Sequence, residues 1–168
     1  GLARYYDITL VTDAPETVDP AMRAAWPVLD ADEFVERARD FDRVAHQLGN
    51  SAFHRFQFDG LLARVPGVVV SHDVYLGNSQ WYLENVDGTP KRFRATLWRT
   101  HGARAERALE VEGVDTVIQR LPCHLDQLRG AMGVIVHSRL AQEVIGRFGG
   151  VMEGMTRVVP ALRDLPPL

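Results

Sequence analysis

Along this chain, apolar and polar positions switch between short β-branched runs and longer stretches with helical spacing. The clearest run is Gly67-Val68-Val69-Val70-Ser71-His72-Asp73. Three consecutive valines entered through Pro66-Gly67 predict a strand buried on both faces, the kind found in parallel sheets covered by helices. Its polar residues Ser71, His72 and Asp73 come at the end, so they emerge at the carboxyl edge, where open α/β sheets place their ligand crevice. Gly133-Val134-Ile135-Val136-His137-Ser138 has the same design. Further strands are predicted over residues 7–13, over 42–48 (closed by Gly49-Asn50) and over 156–159, which runs into Pro160.

The intervening segments read as helices and loops. Leu2 to Tyr6 resembles the last turn of a helix whose beginning is absent. Pro15, Pro20 and Pro27 make residues 14–32 mostly loop with short helical pieces, followed by a short helix over 33–39. Asn50 or Ser51 can cap a helix whose Phe53, Phe56, Gly60, Leu61 and Arg64 fall near helical spacing. Gly77, Asn78, Asp87, Gly88 and Pro90 predict a mobile loop over 74–90. One helix over 92–110 then carries Phe93, Leu97, His101 and Ala105 on one side, and Gly113 marks a break. Pro122 opens a helix through Arg129, and Ser138 is a good N-cap for one bearing Leu140, Val144, Ile145 and Phe148, stopped by Gly149-Gly150. The tail Leu165-Pro166-Pro167-Leu168 reads as a linker. Alternating strands and helices with right-handed crossovers predict an α/β, doubly wound, mainly parallel, Rossmann-like fold, as a single domain over 1–168.

Composition narrows the function classes. The chain has 168 residues, 46% apolar and 24% charged, as in soluble globular proteins, and no apolar run approaches the roughly 20 residues of a membrane span. The net charge of -3 provides no general attraction to nucleic acid. No signal peptide is recognisable, and cytoplasm is the expected location. The single Cys123 excludes an internal disulfide framework and a multi-thiolate metal site, and no metal is expected.

Three strand ends carry polar clusters: Gly49-Asn50-Ser51 with His54, Ser71-His72-Asp73, and His137-Ser138. In a parallel sheet all three lie on one rim and can line one cleft. Taken singly, Asn50, Asp73 and Ser138 are also good helix caps. His72 is the strongest candidate, because an imidazole can donate to a substrate hydroxyl or take its proton, and Asp73 beside it can hold ring or substrate. Adjacent strand residues point to opposite faces, so Ser71, His72 and Asp73 are not a hydrolase triad, and no G-x-S-x-G elbow exists. Cys123-His124 reads as structural, packed at a helix start, and Asp30-Ala31-Asp32 as a helix cap rather than a metal-binding D-x-D. No phosphate-cradling G-x-G-x-x-G or Walker loop is present. Lys91, Arg92, Arg94, Arg99, Arg104 and Arg107 form a basic stretch that is either a solvated face or a contact for anionic headgroups.

Ala45-His46-Gln47-Leu48-Gly49-Asn50-Ser51-Ala52-Phe53-His54, Pro66-Gly67-Val68-Val69-Val70-Ser71-His72-Asp73 and Gly133-Val134-Ile135-Val136-His137-Ser138-Arg139, with the closing Val158-Val159-Pro160-Ala161-Leu162-Arg163, resemble in order the N-terminal domain of family 4 (group 1) bacterial glycosyltransferases of the GT-B architecture. The resemblance covers the chain from about Asp7 onward. It implies the acceptor-side half of a retaining, metal-independent enzyme that transfers a sugar from a nucleotide-sugar donor to a saccharide or lipid-linked acceptor. The donor is a co-substrate rather than a cofactor, bound mainly by a C-terminal domain beyond Leu168. By position His72 matches the family's strand-end histidine facing the reacting sugar, and Asp73 accompanies it. Asn50 and His54 match the loop after the third strand, and His137 and Ser138 the strand end near the domain cleft. The family's first strand with its glycine-rich loop is not matched ahead of Gly1, so the isolated chain is expected to be inert. If the basic stretch over 91–107 is a contact rather than a solvated face, its expected partner is the inner membrane face. The alternatives are a non-catalytic α/β module that binds a ligand or partner, and part of a GT-B-type sugar-nucleotide epimerase.

Overall fold

The computed structural model describes residues 2–152 and 154–160. The linker-like tail and the residues Ala161, Leu162 and Arg163 lie outside the described residues. The chain divides into two compact units, Gly1–Arg43 and Val44–Leu168.

In the first unit a 3-10 turn at Leu2–Arg4 precedes strand β1 (Leu10–Thr12), shorter than the predicted 7–13. Helix α1 (Pro20–Ala25) starts where the Asp19 carboxylate accepts the Ala21 N–H at 2.8 Å and Pro20 supplies a preset φ. Strand β2 (Val28–Asp30), which the prolines had concealed, pairs in parallel with β1. Helix α2 (Ala31–Glu36) follows, and Asp30 accepts from Asp32 N at 2.8 Å, so Asp30 of the Asp-Ala-Asp motif serves as the expected cap. Leu29 and Phe34 are buried, and Phe34 meets Phe41 with ring centroids 5.4 Å apart.

The second unit begins with strand β3 (Ala45–Leu48), a 3-10 turn at Ala52–His54 and the short helix α3 (Leu62–Arg64). Strand β4 (Val68–Ser71) is followed by helices α4 (Gly77–Asn85), α5 (Arg92–His101), α6 (Ala103–Glu112), α7 (Val114–Arg120) and α8 (Leu125–Leu128). Strand β5 (Gly133–Val136), helix α9 (Arg139–Gly149) and strand β6 (Thr156–Val158) complete it. The four strands form one parallel sheet in the order β3-β4-β5-β6. The architecture is α/β and Rossmann-like with parallel sheets throughout, consistent with the doubly wound class. Among the described residues no helix is long and apolar enough to cross a membrane.

Four expectations are corrected. Residues 74–90 hold α4 rather than a loop. Gly77 is a contact point, since a Cβ there would come within 3.2 Å of Ile118 Cα, and Leu76, Ser79, Gln80 and Leu83 are buried. The single helix over 92–110 is two, because Gly102 at φ 62 turns the backbone out of the helical region between α5 and α6. The opening strand is not buried on both faces: Val69 and Ser71 are buried while Val68 and Val70 are half-buried. Phe53, expected in the helix that Asn50 or Ser51 caps, lies instead in the 3-10 turn Ala52–His54 and is exposed.

Leu48, Leu62, Val69, Leu128, Val134, Val136, Ile145 and Met152 form the core cluster around the sheet, each large buried side chain stabilising by about 2 kcal/mol through area removed from water. Phe93, Leu97, Ala105, Ala108, Val117 and Cys123 make a second cluster among the helices. Burial pushes the Cys123 thiol up to about 12, which makes it a packing residue as expected. In the sheet Leu48 pairs with Ser71 and Ser71 with Val136, so Gly49, His72 and His137 begin side by side where the three strands end.

Candidate functional site

The His72 backbone N–H donates to Leu48 O at 2.8 Å, extending the ladder one residue past β4 and fixing where the side chain starts. The exposed His72 ring contacts Gln47 Oε1 through Nε2 at 2.8 Å. The amide oxygen only accepts, so Nε2 carries the proton and Nδ1 of the neutral ring holds the lone pair. Beside it, His137 donates from Nδ1 to Val159 O at 2.8 Å, which leaves its Nε2 as acceptor. The two rings stack at a centroid separation of 5.3 Å and an interplanar angle of 29°. Ser138 next to His137 accepts from Ala141 N at 3.1 Å and caps α9.

The loop after β3 is tied to the same rim. Asn50 N–H donates to Asp73 Oδ2 at 3.0 Å, and Asn50 Oδ1 accepts from Ser79 N at 2.9 Å near the start of α4. Ser51 Oγ accepts from Phe53 N at 3.3 Å, and Ser71 Oγ donates to Asp73 O at 2.6 Å. Gly49 is a close-approach position: a Cβ there would meet His54 Nε2 at 3.0 Å and Asp73 Oδ2 at 3.7 Å. His54 titrates below its ordinary value because burial disfavours the imidazolium; hydrogen bonds to Gln47 and Gln57 oppose this. His72 adds a small further depression and Asp73 a small opposing one.

The structure thus brings Asn50, His54, His72, Asp73 and His137 to one rim. Ser138 is there too, with its hydroxyl engaged in capping. The arrangement presents two imidazole nitrogens on one rim that can accept protons or hydrogen bonds. Gln47, Ser79 and the Val159 carbonyl, which orient these groups, were missed. Gln47 reads in sequence as an ordinary strand residue, and its role follows from pairing with a neighbouring strand. No group of three or more His, Cys, Asp or Glu able to hold a metal ion occurs among the described residues. Much of the basic stretch is neutralised: Arg92 pairs with Asp59, Arg94 with Glu106 at 3.1 Å and Arg99 with Asp126 at 2.6 Å. Lys91, Arg104 and Arg107 are exposed. A surface depression of about 390 Å³ lies in the first unit along residues 23–28, none of which is a candidate.

Compared with family models, curated proteins and solved structures, the chain matches none. A Rossmann-like fold hosts many chemistries, so function has to be argued from the rim itself.

Proposed function

We propose that this chain is the acceptor-side half of a GT-B-type glycosyltransferase, in which the rim of β3, β4 and β5 orients a sugar hydroxyl for transfer from a nucleotide-sugar. The observation that carries the reading is the stacked pair His72 and His137: each ring is anchored through one nitrogen and keeps the other as an acceptor. His72 takes or shares the hydroxyl proton, His137 holds a neighbouring hydroxyl, and Asp73 with Asn50 shapes the adjoining wall. His54, kept neutral by burial, adds a polar wall without a fixed positive charge. The donor and its phosphates belong to a partner domain of the same protein in this reading. Exposed Lys91, Arg104 and Arg107 supply the contact with anionic lipid that a lipid-linked acceptor requires.

The test is product analysis of the full gene product incubated with nucleotide-sugar donors, with and without acceptor saccharides. Acceptor-dependent transfer that falls at least a hundredfold in His72→Ala supports the reading, in line with the usual worth of a positioned proton-transfer group. Epimerised donor in the absence of acceptor assigns the protein to the epimerases, and unchanged donor under all conditions leaves a binding module.

A further inference from the structure

Helix α4 buries two polar side chains, Gln80 and Ser79, which are 0% and 1% exposed. A buried amide is costly unless its donor and its acceptor both find partners. Gln80 uses the two ends in opposite directions. Its Oε1 accepts from Arg92 Nε at 2.8 Å, at the start of α5, and its Nε2 donates to Ser79 Oγ at 3.4 Å. Ser79 Oγ in turn donates to Leu76 O at 2.8 Å, so every donor and acceptor has one consistent assignment.

From Ser79 the row leaves α4. Ser79 N–H donates to Asn50 Oδ1 at 2.9 Å, and Asn50 N–H donates to Asp73 Oδ2 at 3.0 Å. Arg92, Gln80, Ser79, Asn50 and Asp73 are thereby joined in one line that ends at the carboxylate next to His72. At its outer end the Arg92 side chain is 14% exposed and pairs with Asp59, which also meets Arg55. A guanidinium this far out of water needs both that carboxylate and the Gln80 oxygen. A methionine would fill the volume of Gln80 equally well; what the amide adds is direction, which a fully satisfied buried network passes from one member to the next.

We propose that Gln80 and Arg92 are positioning residues for the rim: acting through Ser79 and Asn50, they hold the Asp73 carboxylate in the orientation that a ligand beside His72 meets. The proposal rests on the acceptor-side reading of the rim for the identity of that ligand, and on the hydrogen-bonded line for everything else.

The experiment is amide NMR and hydrogen exchange on the isotope-labelled chain in Gln80→Met and Arg92→Met. Arg94→Met is the control, since it removes the pair with Glu106 on the same helix and lies off the line. In the first two variants the Asn50 and Asp73 amide signals should move and exchange at Asn50 should quicken about fivefold, as loss of one hydrogen bond's support allows. Val69 and Val134 in the sheet should exchange at the parent rate, and Arg94→Met should leave Asn50 unchanged. Should Gln80→Met fail to fold, Arg92→Met at the outer end decides alone. Exchange at Asn50 at the parent rate overturns the proposal, and so does equal quickening at Val69 and Val134 or in Arg94→Met, which would be general loosening. Kinetics of the full gene product supply the second readout: Gln80→Met should raise the acceptor KM about fivefold with kcat little changed. An unaltered KM beside a displaced Asn50 overturns the positioning role. A parent protein that transfers no sugar fails the acceptor reading instead, and the amide result still decides the line.

Discussion

His72 and His137 stand on neighbouring strands with their rings stacked at 5.3 Å, each held by a different hydrogen-bond partner. The pair is built by register: Ser71 lies beside Val136, so the next residue of each strand meets its counterpart where the ladder ends. Because the anchoring nitrogens differ, the accepting nitrogens differ too.

That difference is measurable as tautomers. In the neutral rings, long-range nitrogen–proton correlation should report the proton on Nε2 of His72 and on Nδ1 of His137. Gln47→Leu should remove the preference at His72 and leave His137 unchanged. An unchanged His72 tautomer in that variant would show that Gln47 does not orient the ring.

Asp73 connects the loop after β3 to the end of β4 through Asn50 N–H. Asp73→Ala should cost about 1 kcal/mol in thermal unfolding, the usual net worth of such a bond. Amide exchange at Asn50 and Ser79 should quicken more than in the core strands. Exchange at the parent rate would mean that the loop is positioned by something other than this carboxylate.

Burial lowers the pKa of His124 to about 4, and its Nδ1–H donates to Val74 O at 3.1 Å, tying the segment after Asp73 to the start of α8. The unfolded chain, with an ordinary value near 6.5, binds the proton more readily. The stabilising contribution is therefore complete above pH 6.5 and is lost as pH falls toward 4. The loss is about 3 kcal/mol at about 1.36 kcal/mol per unit. Denaturant unfolding between pH 7 and 4 should show it, and His124→Asn should flatten the profile. A wild-type slope retained in that variant would place the pH dependence elsewhere.

Gly67 admits no side chain, because a Cβ would approach the Val44 carbonyl oxygen to 2.7 Å. Gly67→Ala should destabilise by about 2 kcal/mol or more, since a strand backbone must move. Gly133→Ala, whose Cβ would have its nearest contact at 3.5 Å, should unfold close to the parent. Equal midpoints for the two variants would exclude the steric account of Gly67.

Much of the fold is local in origin and was therefore legible. A β-branched run has one low-energy way to be buried, and a glycine or proline at its entrance marks where it starts; β4 and β5 follow from that, as do the parallel class and the shared rim of His72 and His137. Ser138 and Asp30 were readable as caps because a short polar side chain competes for the backbone N–H groups two or three residues ahead. The rim residues were legible as a set, since polar residues that close buried strands have to emerge at the same edge.

What the sequence by itself determined was therefore the class of elements and the edge at which chemistry can gather. Tertiary structure decided the rest, because it depends on atoms far apart in the chain. Gly77 looks like a turn signal until Ile118 comes against it and makes it a close-contact position at the start of α4. Gln47 becomes the partner of His72, and Val159 that of His137, only once strands lie in register. Backbone preferences are set by neighbours in sequence, whereas a side chain's hydrogen-bond partner is set by whichever strand arrives beside it.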